Sequence, residues 1–358
     1  MDASDAAGLT FRCIEGCGFC CTTAPGLLAG EERALPRALV ERKPDGALGL
    51  RLEGAACAAL DGARRCTVYE ARPSTCRQFP VHLHALDEVQ VTLHRGCPGL
   101  AASGGDEPAS ALVAAATARL TTGAETEARR ARDNWREFRR RARISGLWDE
   151  PTALRAAVAG IVPGLWTGAG IERIYAAVED GDLVAEDAVA AFEGATVETK
   201  APALLADVAA ETFEGELPQV VDPAGFRWLR AKWAAGRLAL ADARGPQQPA
   251  ASFALHELPL WRFRDGAERA CADAVVRLAG RDLALGAAAR LVDVTGYQVT
   301  FASAFLRVVA DQAAGIALRS ALLTASAGKE ASGREDASLA VAWQETAFLA
   351  LPTVGAVL

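Results

Sequence analysis

Eight of the nine cysteines fall between Cys13 and Cys97, and that crowding restricts what the chain can fold into more than any other feature. They are Cys13, Cys17, Cys20, Cys21, Cys57, Cys66, Cys76 and Cys97, and only Cys271 lies elsewhere. The opening residues, MDASDAAGLTFRC, have neither a basic stretch nor an apolar one behind it, so nothing marks the chain for export and a cytoplasmic location is expected. Clustered thiols in a reducing compartment hold metal rather than disulfides.

The tight group reads Cys13-Ile-Glu-Gly-Cys17-Gly-Phe-Cys20-Cys21. Short spacers bring several thiols to one centre at little loop-closure cost. Gly16 and Gly18 permit the sharp turns that wrapping a centre requires. Cys20 and Cys21 are adjacent, and on an extended backbone neighbouring side chains point to opposite sides. They are therefore expected to serve two centres, or one centre and its surroundings. Eight thiols match the number needed for two four-thiolate sites.

The second block runs from Cys57 through Cys66-Thr-Val-Tyr-Glu-Ala-Arg72-Pro73-Ser-Thr-Cys76-Arg77-Gln-Phe79-Pro80, and the third is Arg95-Gly-Cys97-Pro98-Gly. With the opening FRCIEGCGFCC, these segments resemble the YkgJ-type cysteine-cluster family, described as a zinc- or iron-chelating domain with eight characteristic cysteines. The resemblance covers roughly the first hundred residues. It implies that the eight cysteines from Cys13 to Cys97 are the metal ligands. It also implies an iron–sulfur protein or a zinc protein. Related chains with a long helical C-terminal region include flagellin lysine-N-methylases, which use S-adenosylmethionine, so both an iron–sulfur oxidoreductase and an S-adenosylmethionine-dependent methyltransferase remain open. No catalytic residue is named by the sequence.

Zinc ribbons supply paired CxxC knuckles. Here one group contributes three or four thiols and the rest come singly, which favours an iron–sulfur cluster, a [4Fe–4S] centre first, with zinc as the alternative. Arg72 and Arg77, with Arg12 and Arg95, lie near cysteines and are expected to offset an anionic cluster or donate to its sulfurs. Cys13-x3-Cys17-x-Phe19-Cys20 also fits the radical S-adenosylmethionine motif, and Gly104-Gly105-Asp106-Glu107 resembles the acidic glycine motif of those enzymes. That superfamily uses a β/α barrel, and no alternation of strands and helices follows.

Half of the chain is hydrophobic, 51%, but only 6% is aromatic, so close-packed helices are expected. The class expected is mainly α, with a small α+β cysteine-cluster domain at 1–105, a linker and basic helix at 106–150, and a larger all-helical domain at 151–358. Short strands are expected at Gly49–Glu53, Cys66–Tyr69 and Val89–Leu93, and Pro73 should open a short helix carrying Cys76. Ala101 to Pro108 reads as a linker. Ser110 to about Arg143 reads as helix with a break near Thr121–Gly123, and eight arginines lie between Arg129 and Arg143. A net charge of −7 argues against nucleic acid as the partner of that face, leaving solvent or the chain's own acidic part.

Beyond Pro151, Asp222-Pro223 is expected to start a helix reaching about Ala243, with Phe226, Leu229 and Trp233 on its inner stripe. Asp265-Gly-Ala-Glu268 resembles a capping box for the next helix, on which Cys271, Val275 and Leu278 share a core stripe. His82 and His84 alternate with Val81 and Leu83, and a half-exposed strand face is expected for them rather than a mixed Cys/His site. No apolar run long enough to span a bilayer is expected. A protein or small-molecule substrate remains unnamed.

Overall fold

The computed structural model describes residues 6–21, 26–28, 30–43, 46, 48–53, 56–101, 105–118, 122–166, 169–197, 201–213, 220–221, 228–242, 251–349 and 351–357. Among them are eleven α-helices, and strands are short and antiparallel, so the chain is mainly α. Every strand-to-strand pairing is antiparallel, which excludes a β/α barrel over the described residues.

The core is built around the helix Phe301–Ser326. It is sheathed by Asp282–Val294, Arg334–Leu349, Ala267–Ala279 and Gly170–Val178. Alanines such as Ala310, Ala313, Ala314 and Ala317 let these axes approach closely, while Phe301, Phe305, Trp343 and Phe348 fill the remaining volume. By length and composition this helix alone among the described residues is apolar enough to cross a membrane, against the sequence expectation, but 89% of its apolar window is buried inside the fold. Its partners are other parts of the same chain, mostly helices. Cys271 is fully buried in the same core beside Val275 and Leu278, as its stripe predicts, and burial pushes its thiol up to about 12.

Two helices, Ala109–Ala118 and Thr122–Ile144, take up the basic region, and the break between them falls outside the described residues. Ala124, Ala128, Ala131, Trp135, Phe138 and Ala142 bury one face of the second at helical spacing. Its arginines meet carboxylates of the same chain: Arg140 and Arg141 both bind Glu137, Arg143 binds Glu150, and Arg139 reaches Asp87. The intramolecular, solvated reading of the charge run fits this face.

The helical expectation fails over the described part of 222–243. Trp228–Ala234 and Arg237–Asp242 form a hairpin in a four-stranded antiparallel sheet with Val220–Val221 and Ala251–Ala254. Ala235 and Gly236, both at positive φ (51° and 72°), make its two-residue turn. Leu229 and Trp233 share a strand face with Ala231; Asp222, Pro223 and Phe226 lie outside the described residues. The capping box at Asp265 is also absent: Gly266, at φ 75°, caps the helix Ala267–Ala279 without a side-chain bond.

In the N-terminal part, strands at Leu48–Leu50, Leu52–Glu53 and Val89–Leu93 match the expectation. Cys66–Tyr69 does not form a strand. Cys66 makes a single bridge to Leu60, and the chain then turns into a short 3-10 helix at Tyr69–Ala71. The expected linker is paired at both ends, since Thr10–Phe11 lies between Leu100–Ala101 and Glu107–Pro108. The hairpin Val81–Ala85/Val89–Leu93 takes a third strand from the far end of the chain, Ala356–Val357.

Candidate metal centre

The helix Ser74–Gln78 begins after Pro73, as expected, and carries Cys76. Its open N-terminus is closed by Glu31, whose Oε1 accepts from both the Ser74 backbone N–H and the Ser74 hydroxyl at 2.7 Å. A carboxylate at that position answers the unpaired N–H groups and the positive end of the helix dipole. Gly16 and Gly18 adopt positive φ, 70° and 67°, so the opening group turns sharply twice between Glu15 and Phe19. Phe19 is the buried anchor of this turn, packed on Cys17, Ala56, Leu60 and Phe79.

These turns gather Cys13, Cys17, Cys20, Cys21, Cys57, Cys66 and Cys76 around one cavity of about 410 Å³. Cys97 is not in its wall. It is buried behind the opening group, where burial and the neighbouring Cys17 and Cys20 push its thiol up to about 12. Among the described residues no group of three or more His, Cys, Asp or Glu side chains is arranged to hold a metal ion. The thiols surround a volume instead of converging on a point.

Cys20 and Cys21 depart from the expectation of opposed side chains. The segment Phe19–Cys21 is a 3-10 turn rather than extended chain, so both thiols face the same cavity. The Cys21 thiol donates to the Cys20 sulfur, which lowers Cys20 to about 7 despite its burial and raises Cys21. Burial also raises Cys13, Cys17 and Cys57, and takes Cys76 up to about 12, with neighbouring sulfurs adding repulsion in each case. A set of thiols that disfavour one another's ionisation in this way is stabilised by a shared cation.

Of the arginines named from the sequence, Arg72 lies in the cavity wall, with its guanidinium 3.7 Å from the centroid of the Tyr69 ring and its Nε donating to the Tyr69 carbonyl. Arg77, Arg12 and Arg95 are not in the wall; Arg77 donates to the Arg72 carbonyl and so braces it from behind. Arg64, Arg65 and Tyr69 line the cavity and were missed. Their only signal was position, since two arginines immediately precede Cys66. Gly105, Asp106 and Glu107 of the acidic glycine segment are also outside the wall, and the Gly105 N–H donates to Thr10.

A belt of rings separates this cavity from the helical core. Phe19 meets His94 edge-on at 5.2 Å, and Phe79 lies 5.9 Å from His82 and 5.5 Å from His94. His82 and His84 share a strand face, as expected, and stack at 6.3 Å. The expectation of a half-exposed face holds at His82, which is partly buried, but not at His84, which is 2% exposed; His94, next to His82, is fully buried. Helix Arg334–Leu349 closes over His94, with His94 Nε2 at 3.0 Å from Thr346 Oγ1 and Glu345 3.7 Å from His94 Nδ1. Arg281 joins Glu345 and donates to the Leu93 carbonyl at 2.8 Å, and the Gly96 N–H donates to Glu345 at 3.2 Å. Gly96 permits this approach, because a Cβ there would lie 2.6 Å from that of Ala342. The segment bearing Cys97 is thus tied to the helical core by a buried ion pair.

Burial depresses these imidazoles, His84 to about 3 and His94 to about 4, with Arg281 opposing the charge on both and Glu345 partly offsetting it at His94. Each is neutral when folded but protonates near 6.5 when unfolded. The unfolded chain therefore binds more protons below that pH, and stability falls with acidification. The buried Glu345, held low by Arg281 against its desolvation, acts in the same direction. The unfolding midpoint in urea is expected to be flat above pH 7 and to drop between about pH 6.5 and pH 4, with His94 alone accounting for roughly 3 kcal/mol. A midpoint independent of pH across that window would show that the imidazoles are not held neutral.

No curated protein and no solved structure matches the chain. A family model does match, over residues 12–98, the stretch that supplies every wall residue of the cysteine cavity and also Cys97. That stretch is similar to the CxxCxxCC domain, which is described as zinc- or iron-chelating.

Proposed function

We propose that the cysteine cavity binds an iron–sulfur cluster, of the [4Fe–4S] type, and that the N-terminal part is a metal-cofactor domain serving the helical part. The observation that carries this reading is the volume enclosed by the thiols. A closed zinc site draws four sulfurs to about 3.8 Å of one another, as follows from a Zn–S distance of about 2.3 Å in a tetrahedron, and leaves no space between them. Seven thiols around about 410 Å³ suit a cofactor with bulk of its own. Zinc bound by four of these thiols is the competing reading.

Cys13, Cys17, Cys20, Cys21, Cys57, Cys66 and Cys76 are the candidate ligands at the wall, with Cys97 adjoining. When bound, such a cluster would supply one-electron chemistry or an iron site open to a small molecule. The chain's own contribution is clearer. Arg72, pinned over Tyr69, holds a positive charge beside Cys13, Cys20 and Cys76 and would offset an anionic cluster. Phe19 and the aromatic belt shield one side from water.

Anaerobic purification followed by metal and sulfide analysis tests the assignment. Iron with equimolar acid-labile sulfide is expected, and stoichiometric zinc without sulfide overturns it. Binding of S-adenosylmethionine by the iron-loaded protein would support a methyltransferase role such as lysine methylation. Its absence would favour a structural or electron-transfer role.

A further inference from the structure

A second cavity, of about 730 Å³, opens in the helical part and shares no wall residue with the cysteine cavity. Helix Gly170–Val178 forms one side, and the start of Phe301–Ser326 forms another. Val178, Leu204, Leu291 and Val299 give it a long apolar wall. Into that wall is set Glu172, which is 7% exposed and has no hydrogen bond or ion pair among the described residues. Its carboxylate faces the cavity rather than a protein partner, and partial desolvation there raises its proton affinity.

The surrounding charge does not supply the missing partner. Arg307 is the cation in the wall, but its Nε binds Asp311 at 3.0 Å, an NH2 group reaches Glu211 at 3.3 Å, and its guanidinium lies 4.6 Å from the centroid of the Tyr175 ring. The Tyr175 hydroxyl also donates to Asp311. The arginine is therefore committed to the wall. Glu179 lies in the same wall seven residues after Glu172, on the same helix face and about 10 Å further along the axis. Among the described wall residues two carboxylates, Glu172 and Glu179, face one arginine, so an anionic ligand is disfavoured and a cation is drawn in.

We infer that this cavity binds an aliphatic amine, its protonated nitrogen on the Glu172 carboxylate and its hydrocarbon chain along Val178, Leu204, Leu291 and Val299. Glu179 is placed to receive a second protonated nitrogen on a longer chain. The site is independent of the cysteines and of whatever metal they hold.

Isothermal titration calorimetry on the full chain, with n-hexylamine, n-hexanol and hexanoate as probes, tests it. Hexylamine should bind, hexanol should bind about tenfold more weakly or less, and hexanoate should give no heat. Glu172→Gln keeps the shape of the side chain and should lower amine affinity about tenfold while leaving hexanol unchanged. Ala176→Phe, which fills the cavity without touching the charge, should abolish binding of both. The comparison of amine with alcohol on the unaltered protein needs no variant to fold. Equal affinity for the two, no detectable amine binding, or a Glu172→Gln protein that binds the amine as the parent does would each overturn the assignment.

Discussion

Replacing Glu345 by alanine is expected to destabilise the protein by about 3–5 kcal/mol, among the largest effects of any single substitution in the chain. The carboxylate is fully buried and is shared by three groups: the Arg281 guanidinium, the Gly96 N–H and the His94 ring. Its removal leaves the Arg281 charge, itself only 2% exposed, in a low-dielectric interior without its counter-ion. Glu345→Gln should cost less, because an amide oxygen still accepts from Arg281 and Gly96. Arg281→Met combined with Glu345→Met should recover much of the loss, because a buried ion pair replaced by apolar groups of similar volume is close to neutral. Urea midpoints of the four proteins measure this. The same pair holds the strand end at Leu93 and the turn leading to Cys97, so Glu345→Ala should also lower metal content. If Glu345→Ala stayed within about 1 kcal/mol of the parent, the ion pair would not be what fastens that segment.

The cysteine spacing made the N-terminal region legible because metal chemistry demands particular residues in the sequence itself. Pro73, Cys76, Gly16 and Gly18 all do locally what their types predict. The core position of Cys271 was legible for the same kind of reason, since its stripe lies on a long, regular helix. Leu229 and Trp233 were misread because positions i and i+4 share a face both on a helix and on a strand, at periods of 3.6 and 2. Ala231 between them, and the Leu238/Leu240 alternation after the Ala-Gly turn, decide for the strand. Cys20 and Cys21 were misread through an assumed extended backbone, where the chain makes a 3-10 turn. The burial of His94 was not legible at all. It comes from helix Arg334–Leu349, about 250 residues away, and residue spacing on one strand carries no information about what covers it. Glu172 was passed over for the same reason, since a carboxylate on an amphipathic helix reads as solvated until the cavity around it is seen.

Removing the metal is expected to unfold the cysteine region selectively, and hydrogen exchange should resolve the event. The apolar support there is slight. One small cluster centres on Phe19, and another contains Leu35, Leu50, Cys57 and Ala59, while the large core runs through the helices. Domains of this size with so little buried surface rely on metal or disulfides for stability, and all eight cysteines here are free thiols. Structural metal centres contribute on the order of 10 kcal/mol to folding, more than these two clusters can supply. In the metal-free protein the amides of residues 12–76 should therefore exchange at rates near those of unfolded chain, and Cys17→Ser or Cys76→Ser should do the same without a chelator. The amides of Phe301–Ser326 should stay protected, because that helix is enclosed by the other helices and the strand Arg237–Asp242, none of which belongs to the cysteine region. The hairpin Val81–Leu93 is the informative intermediate, since one of its faces packs on Ala109, Val113 and Ala128 and its edge takes the strand Ala356–Val357. It should keep its protection and mark the limit of the metal-dependent unit, which would then end short of residue 105 and move the proposed domain boundary with it. Unchanged protection at Cys17 and Cys76 after complete metal removal would mean that the thiols sit on a scaffold that is already folded, and the metal would then be retained for its chemistry alone.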